Sequence, residues 1–252
     1  MKVLGDCRSL NELYFDEGLN LISQEEKPIS NYQDIAKFED FRHFSFGGQD
    51  YYSVAFIDEQ WNTRIGILDK DYNFLKKVEL DYTHRMSFGV GDEVFWEKNY
   101  LFFEKEGDLY LIYSTTPRYV VYKCVNTTLM EFEKIIDISN EETSKLPSNQ
   151  FYFSSNTSTG GSTSPIWLEE RGMWVYLIHT KIYAEKRYNH YSVWLDKNLN
   201  LVEIKQKPFL SQHINYDYFF VSTMLNDGDY VIISGGISDN ANFTWKIPKT
   251  LL

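Results

Sequence analysis

Polar residues suited to acid–base work recur just ahead of segments that read as β-strands. Glu39, Asp40 and Arg42 lead FSFGGQDYYSVAF. Glu97, Lys98 and Asn99 lead YLFFEKEGDLYLIYSTT. Gly160, Gly161 and Ser162 lead TSPIWLEERGMWVYLIHT, which brings His179 to the end of its second strand. Tyr216, Asp217 and Tyr218 lead FFVSTMLNDGDYVIISGG, and Asp239 follows directly. Asp6 holds the matching place before the first strand candidates, and Tyr191 closes the YNHY run after His179. Carboxylates gathered with a few cations suit glycosidic bond chemistry, in which one group protonates the leaving oxygen and another activates the nucleophile. Asp40, Glu39, Glu97 and Asp6 are therefore the candidate catalytic groups. Arg42, Lys98, Asn99, Ser162, His179, Tyr191 and Asp239 are the candidate substrate-binding groups. The plainer reading stands beside this one: an acid before a strand is commonly a turn residue, and Asp40 with Arg42 makes a structural ion pair equally well.

The elements that must position these residues are repeated hairpins. Each unit has a polar head, a strand, a Gly-containing turn and an aromatic-rich strand, then an apolar strand, a turn and an amphipathic strand. The strongest internal match is ILDKDYNFLKKVEL (67–80) with WLDKNLNLVEIKQK (194–207). The spacing of Tyr51, Tyr110, Trp174 and Tyr230 gives a period of about sixty residues, which fits four-stranded propeller blades. The expected fold is all-β: a five-bladed β-propeller forming a single domain over residues 1–252. Residues 1–38 and the C-terminal strand would share one blade and close the ring. Two short strands are expected around Asp16-Glu17-Gly18, with a polar loop over 24–28. In such a ring the heads of all units meet at the mouth of the central channel.

Composition narrows the function. A net charge of −11 with no basic stripe argues against a nucleic-acid partner. Aromatic residues make up 17% of the chain, which suits both strand packing and the stacking of sugar rings. Cys7 and Cys124 form neither a metal-ligand spacing nor a disulfide framework, and no cofactor is expected. No N-terminal apolar segment resembles a signal peptide and no apolar run could span a bilayer, so a cytoplasmic protein is expected.

EDFR followed by GGQDYYSVAF resembles the E-D-x-R and aromatic hairpin of five-bladed propeller glycosidases, most of all glycoside hydrolase family 130, the mannoside phosphorylases with related hydrolases and mannosyltransferases. GGSTSPIWL, the Ile178–Thr180 stretch and SGGISD are similar to that group's later motifs. The resemblance runs over residues 38–245, and Phe41 stands where the family has a proline. It implies a carbohydrate or sugar-phosphate ligand, with inorganic phosphate or a sugar phosphate as substrate. Asp40 would lie at the sugar subsite, and Arg42, Lys98 and His179 would hold an attacking phosphate. The wider glycosidase group implies a different set, Asp6, Asp40 and Glu97 on three successive blades. Asp40 belongs to both. Reactions open at this point are hydrolysis, phosphorolysis and glycosyl transfer. A glycan-binding propeller without catalysis, a protein-interaction scaffold, and a domain cut from a larger glycan-processing protein remain alternatives.

Overall fold

A computed structural model of the chain describes residues 9–16, 18, 20–30, 37–57, 63–80, 86–87, 93–94, 99–116, 118–139, 157–182, 187–205, 207–211, 219–237 and 241–252. The fold is all-β, and its sheets are of the propeller-blade kind, runs of consecutive antiparallel strands in chain order. The N-terminal hairpin pairs β1 (Ser9–Phe15) with β2 (Leu21–Pro28). The first blade is β3 (Lys37–Phe46), β4 (Gln49–Ile57), β5 (Thr63–Asp69) and β6 (Phe74–Lys77). A short pair, β7 (Met86–Ser87) and β8 (Glu93–Val94), precedes the second blade of β9 (Leu101–Lys105), β10 (Asp108–Ser114), β11 (Tyr119–Asn126) and β12 (Glu131–Ile138). The third blade is β13 (Thr157–Gly161), β15 (Met173–Ile182), β16 (Arg187–Leu195) and β17 (Leu201–Ile204), with β14 (Ile166–Leu168) beside β15 and β18 (Leu210–Ser211) beside β16. The last is β19 (Phe219–Asp227), β20 (Tyr230–Ile237) and β21 (Ala241–Pro248), followed by a 3₁₀ turn at Lys249–Leu251.

Two expectations are corrected, the blade number and the loop over 24–28, and a third is not shown. Among the described residues there are four blades, not five. Ring closure by the termini is not shown: among the described residues β1 pairs with β2 in a sheet of two, and β21 pairs with β20 in a sheet of three. The stretch 24–28, expected as a loop, continues β2, because the hairpin register runs unbroken from Leu13↔Gln24 to Ser9↔Pro28. This strand is exposed over nearly its whole length, so no apolar alternation marks it in the sequence. In the third blade, moreover, the Gly160-Gly161 head is itself the end of the inner strand β13 rather than a lead into one.

The chain divides into two compact units. One comprises Met1–Lys98, Glu106–Asp108 and Cys124–Glu133; the other comprises Asn99–Lys105, Leu109–Lys123 and Lys134–Leu252. In the first, Ile29, Phe38, Val54, Phe56, Leu68 and Tyr72 form the core, with Phe41, Tyr52 and Phe74 packed on it. In the second there are two cores. Leu101, Phe103, Ile112 and Val121 pack against Tyr176, Ile178 and Val193 of the third blade. On the third blade's other face Val175, Leu177 and Trp194 pack against Val221, Met224 and Ile233 of the last. The third blade is thus buried on both faces, which is why β15 opens as an apolar run, MWVYLI, rather than as an alternating one.

The strongest sequence repeat turns out to be a turn clasp. Asp69 Oδ1 accepts hydrogen bonds from the N–H groups of Asp71 and Asn73, both at 2.9 Å, and Oδ2 accepts from Asn73 Nδ2 at 2.9 Å. Asp196 does the same with Asn198 N–H (2.8 Å), Asn200 N–H (2.9 Å) and Asn200 Nδ2 (2.8 Å). Each clasp holds a non-glycine residue in the left-handed region, Tyr72 at φ 62° and Leu199 at φ 66°. Burial pushes both carboxyls up, but the hydrogen bonds from Asn73 or Asn200 and their neighbours outweigh it, and both end below the usual carboxylate range. Asp16 and Asn20 repeat the clasp in the N-terminal hairpin.

Candidate functional site

In the first unit the head of β3 is a β-bulge. Glu39 pairs with Ala55 and Arg42 with Ser53, so Asp40 and Phe41 together oppose Val54. Asp40 takes up the irregularity in a left-handed conformation, φ 56°. That conformation costs an L-residue roughly 1–2 kcal/mol, though aspartate is among the side chains that visit it more readily. The bulge re-aims three side chains. Asp40 is exposed, Phe41 turns to pack on the core with its ring 6.4 Å from Phe38, and Arg42 is buried. Phe41, in the place where the resembling family has proline, is therefore a packing residue. Burial pulls the Arg42 guanidinium down to about 10 and the Asp40 charge partly opposes this, so the buried group stays cationic at neutral pH. Of Glu39 only the backbone is described.

In the second unit the head of β9 shows the same device. Asn99 is left-handed at φ 66° directly before Tyr100 and Leu101. It meets the glycine pair of β13. A Cβ on Gly160 would lie 3.0 Å from Asn99 Nδ2, 2.9 Å from His179 Cε1 and 3.1 Å from His179 Nε2; one on Gly161 would lie 2.5 Å from the Asn99 carbonyl oxygen. The two glycines thus let the Asn99 amide and the His179 ring close on the same stretch of backbone. His179, on β15 opposite Gly160, is buried, and its Nδ1 is 3.0 Å from Ser162 Oγ. Ser162 is fixed in turn by its N–H, which donates to the Leu177 carbonyl at 2.9 Å, and Thr163 Oγ1 accepts from the Leu177 N–H at 3.0 Å. The His179 ring sits edge-on to Phe220 at 4.9 Å and to Tyr188 at 5.3 Å, and Lys181 Nζ lies 5.7 Å from the Tyr188 ring centre. This cluster offers an amide, an imidazole and a hydroxyl held by packing, a set suited to binding polar oxygens.

The structure therefore brings together Asn99, Ser162 and His179, and separately Asp40 and Arg42. Tyr191 is placed elsewhere. It sits opposite Ile178, one residue past His190, so it points to the other face of β16 and packs against the core of Tyr176, Ile178 and Val193. Asp6, Glu97, Lys98 and Asp239 lie outside the described residues. Sequence reading missed His190, which pairs directly with His179 across the strands and is fully buried. The signal available was alternation: Tyr188, His190, Ser192 and Trp194 share a face with His179 once the hairpin register is known. Among the described residues no group of three His, Cys, Asp or Glu could hold a metal ion, and no helix is long and apolar enough to cross a membrane.

No protein-family model matches the chain, and no curated protein does. Solved structures do. The β-1,2-mannobiose phosphorylase from Listeria innocua is 17% identical, with a TM-score of 0.66 over 93% of this chain and 65% of its own. A structure from the glycoside hydrolase family 130 mannoside phosphorylases, described with hydrolases that target β-1,2 mannosidic linkages in Candida mannan, is 11% identical, with a TM-score of 0.63 over 93% of this chain and 73% of its own. A glycosyl hydrolase from Bacteroides ovatus is 12% identical, with a TM-score of 0.56 over 84% of this chain and 65% of its own. The chain thus spans just under two thirds of the Listeria phosphorylase. At these identities the likeness establishes the fold, a β-propeller of the kind found in these glycosidases and phosphorylases.

Proposed function

We propose that the chain is a carbohydrate-active protein that acts on mannoside-like glycans, with Asp40 as the group that protonates the glycosidic oxygen. The observation that carries the reading is the bulge at the head of β3, where left-handed backbone at Asp40 turns its carboxyl group outward while Arg42 is buried. Strained backbone of this sort clusters at functional sites. The reading is supported by fold likeness to a β-1,2-mannobiose phosphorylase over 93% of the chain.

In phosphorolysis, a phosphate oxygen attacks the anomeric carbon, the bond from that carbon to the glycosidic oxygen breaks, and Asp40 gives its proton to the departing sugar oxygen. A sugar 1-phosphate and a free sugar result. One protein acid suffices, because phosphate is the nucleophile. In hydrolysis, water takes that place and a second carboxylate, Glu39, Glu97 or Asp6, acts as base. Glycosyl transfer would use the same acid with a sugar hydroxyl as the attacking group. Arg42, Lys98 and His179 are proposed to place the anion or its equivalent, because cations there both hold it and offset its charge. Asn99, Ser162 and Asp239 are proposed to bind sugar hydroxyls.

A thermal-shift screen of the wild-type chain against mannose, β-1,2-mannobiose, mannose 1-phosphate, nucleotide sugars and inorganic phosphate tests the reading. A ligand at a hundred times its dissociation constant stabilises by about 2.7 kcal/mol. A rise with mannobiose or mannose 1-phosphate is the expected result. No rise with any of the sugars sinks the reading. A rise that is never accompanied by turnover points to a glycan-binding propeller instead.

A further inference from the structure

The His190 side chain, on β16 of the third blade, reaches across to the last blade. Its Nε2 accepts a hydrogen bond from the Val221 N–H of β19 at 3.1 Å, and both residues are fully buried. Since Nε2 is the acceptor, the ring hydrogen is on Nδ1 and the ring is neutral. Burial keeps it so, with its titration pulled down to about 3. Val221 sits at a break in register. Phe219, Phe220 and Val221 pair with Ile237, Gly236 and Gly235, but Thr223 already pairs with Ser234, so Ser222 is the extra residue of a bulge. A bulge disrupts the ladder locally and re-aims the side chains around it. Here the re-aimed segment is tied down by a side chain from the neighbouring blade.

That segment carries Phe220, whose backbone is held twice. A Cβ on Gly235 would lie 1.9 Å from the Phe220 carbonyl oxygen, so the glycine lets β20 close on it. The bond to His190 is made by the very next residue. The Phe220 ring lies edge-on to His179 at 4.9 Å and to Tyr188 at 5.6 Å. His190 is itself the cross-strand partner of His179, with ring centres 6.3 Å apart, and lies 6.1 Å from Phe220. The His179 imidazole is thus located by Ser162 Oγ, 3.0 Å from its Nδ1, and by the rings of Phe220, Tyr188 and His190. Phe220 keeps its place against that imidazole only while the head of β19 stays where the Val221 N–H is bonded.

We infer that His190 is a positioning residue. By accepting the Val221 N–H it pins the bulge of β19, and through Phe220 and its own ring it fixes the His179 imidazole beside Ser162. The task given to His179 rests on the reaction proposed above; the placing of its ring does not. What His190 must supply is a neutral, buried hydrogen-bond acceptor at the Nε2 position, which glutamine can imitate and leucine cannot.

The test is nitrogen-15 NMR of the histidine rings in the intact, ligand-free chain, for wild type, His190→Gln and His190→Leu. The wild type is expected to show His190 at pH 7 as the neutral form with its hydrogen on Nδ1. In His190→Leu the His179 ring nitrogens are expected to shift and its titration midpoint to move, and in His190→Gln both are expected to return toward the wild type. A His190 ring that is charged, or that carries its hydrogen on Nε2, overturns the proposal, and this spectrum decides even if His190→Leu fails to fold. So do His179 signals in a folded His190→Leu that match the wild type, or a glutamine variant that departs as far as the leucine one. None of these readouts needs a sugar, so a wild type without turnover counts against the proposed reaction alone. With β-1,2-mannobiose as substrate, His190→Leu is expected to lower kcat/KM by about 10–10²-fold and His190→Gln to restore it; a leucine variant as active as the wild type overturns the positioning role.

Discussion

His190 should make the protein sensitive to mild acid. Its folded-state value of about 3 lies well below the ordinary 6.5, and the cause is burial. A histidine held neutral in the folded state takes up its proton preferentially on unfolding. The stability it contributes is therefore fully present above 6.5, is lost as pH falls through 6.5, and stops falling near the folded value of about 3. Between pH 7 and pH 5 the linkage integral comes to about 2 kcal/mol, and any folded value below about 4 gives the same figure, because the unfolded chain alone titrates in that window. For a chain of this length about 2 kcal/mol corresponds to roughly 4–8 °C in the thermal midpoint. The assay is thermal unfolding at pH 7 and pH 5 for the wild type and for His190→Gln, whose side-chain oxygen can still accept from the Val221 N–H. His179 faces His190 across the strand pair and is present in both proteins. The wild type should lose about 4–8 °C more than the variant between the two pH values. Equal losses would refute the reasoning, since they would mean that His190 is neither desolvated nor neutral in the folded protein.

Gly161→Ala places a Cβ 2.5 Å from the Asn99 carbonyl oxygen, a backbone atom that cannot swing aside, and should destabilise by about 1–3 kcal/mol in chemical denaturation. Asp196→Ala removes the acceptor of three hydrogen bonds while Leu199 stays left-handed, and should cost about 1–3 kcal/mol at pH 7. The folded Asp196 carboxyl is held below the ordinary 3.8, so its contribution is present above that value and fades as pH falls below it; the wild type and Asp196→Ala should therefore converge in acid, which denaturation at pH 3 against pH 7 measures. Glu106 and Gly107 make the β9–β10 turn with φ of 54° and 82°, a geometry that favours asparagine at the first position, so Glu106→Asn should raise stability by about 0.5–1 kcal/mol.

What could be read from the sequence was mostly local. The hairpin at Gly47-Gly48, the Asp-to-Asn repeat at 69–73 and 196–200, and the glycine pair at 160–161 all leave a mark in residue type, because a left-handed turn or a close backbone approach excludes most side chains. Blade number and ring closure left no such mark. They depend on which distant strands pair, whereas the register of a hairpin such as β1–β2 is set by neighbours in the sequence. The face to which Tyr191 points was also hidden. Both faces of the third blade are buried, so polarity does not alternate along YNHYSVWL, and the parity of the strand is settled only by its pairing with β15. His190 stayed unseen for the same reason. Asp40, by contrast, was singled out for its neighbours Glu39 and Arg42, while the bulge and the left-handed backbone that expose it follow from the slip in register against β4.

The most direct measurement of the central claim is proton NMR of β-1,2-mannobiose incubated with the protein, with and without inorganic phosphate, run for wild type and Asp40→Asn. If Asp40 is the proton donor, the wild type produces new anomeric signals, from mannose 1-phosphate when phosphate is the attacking group or from mannose alone when water is. Asp40→Asn should then stay folded, still bind the disaccharide, and lose about 10²–10⁴-fold in rate. An Asp40→Asn protein that turns over at the wild-type rate would contradict the assignment.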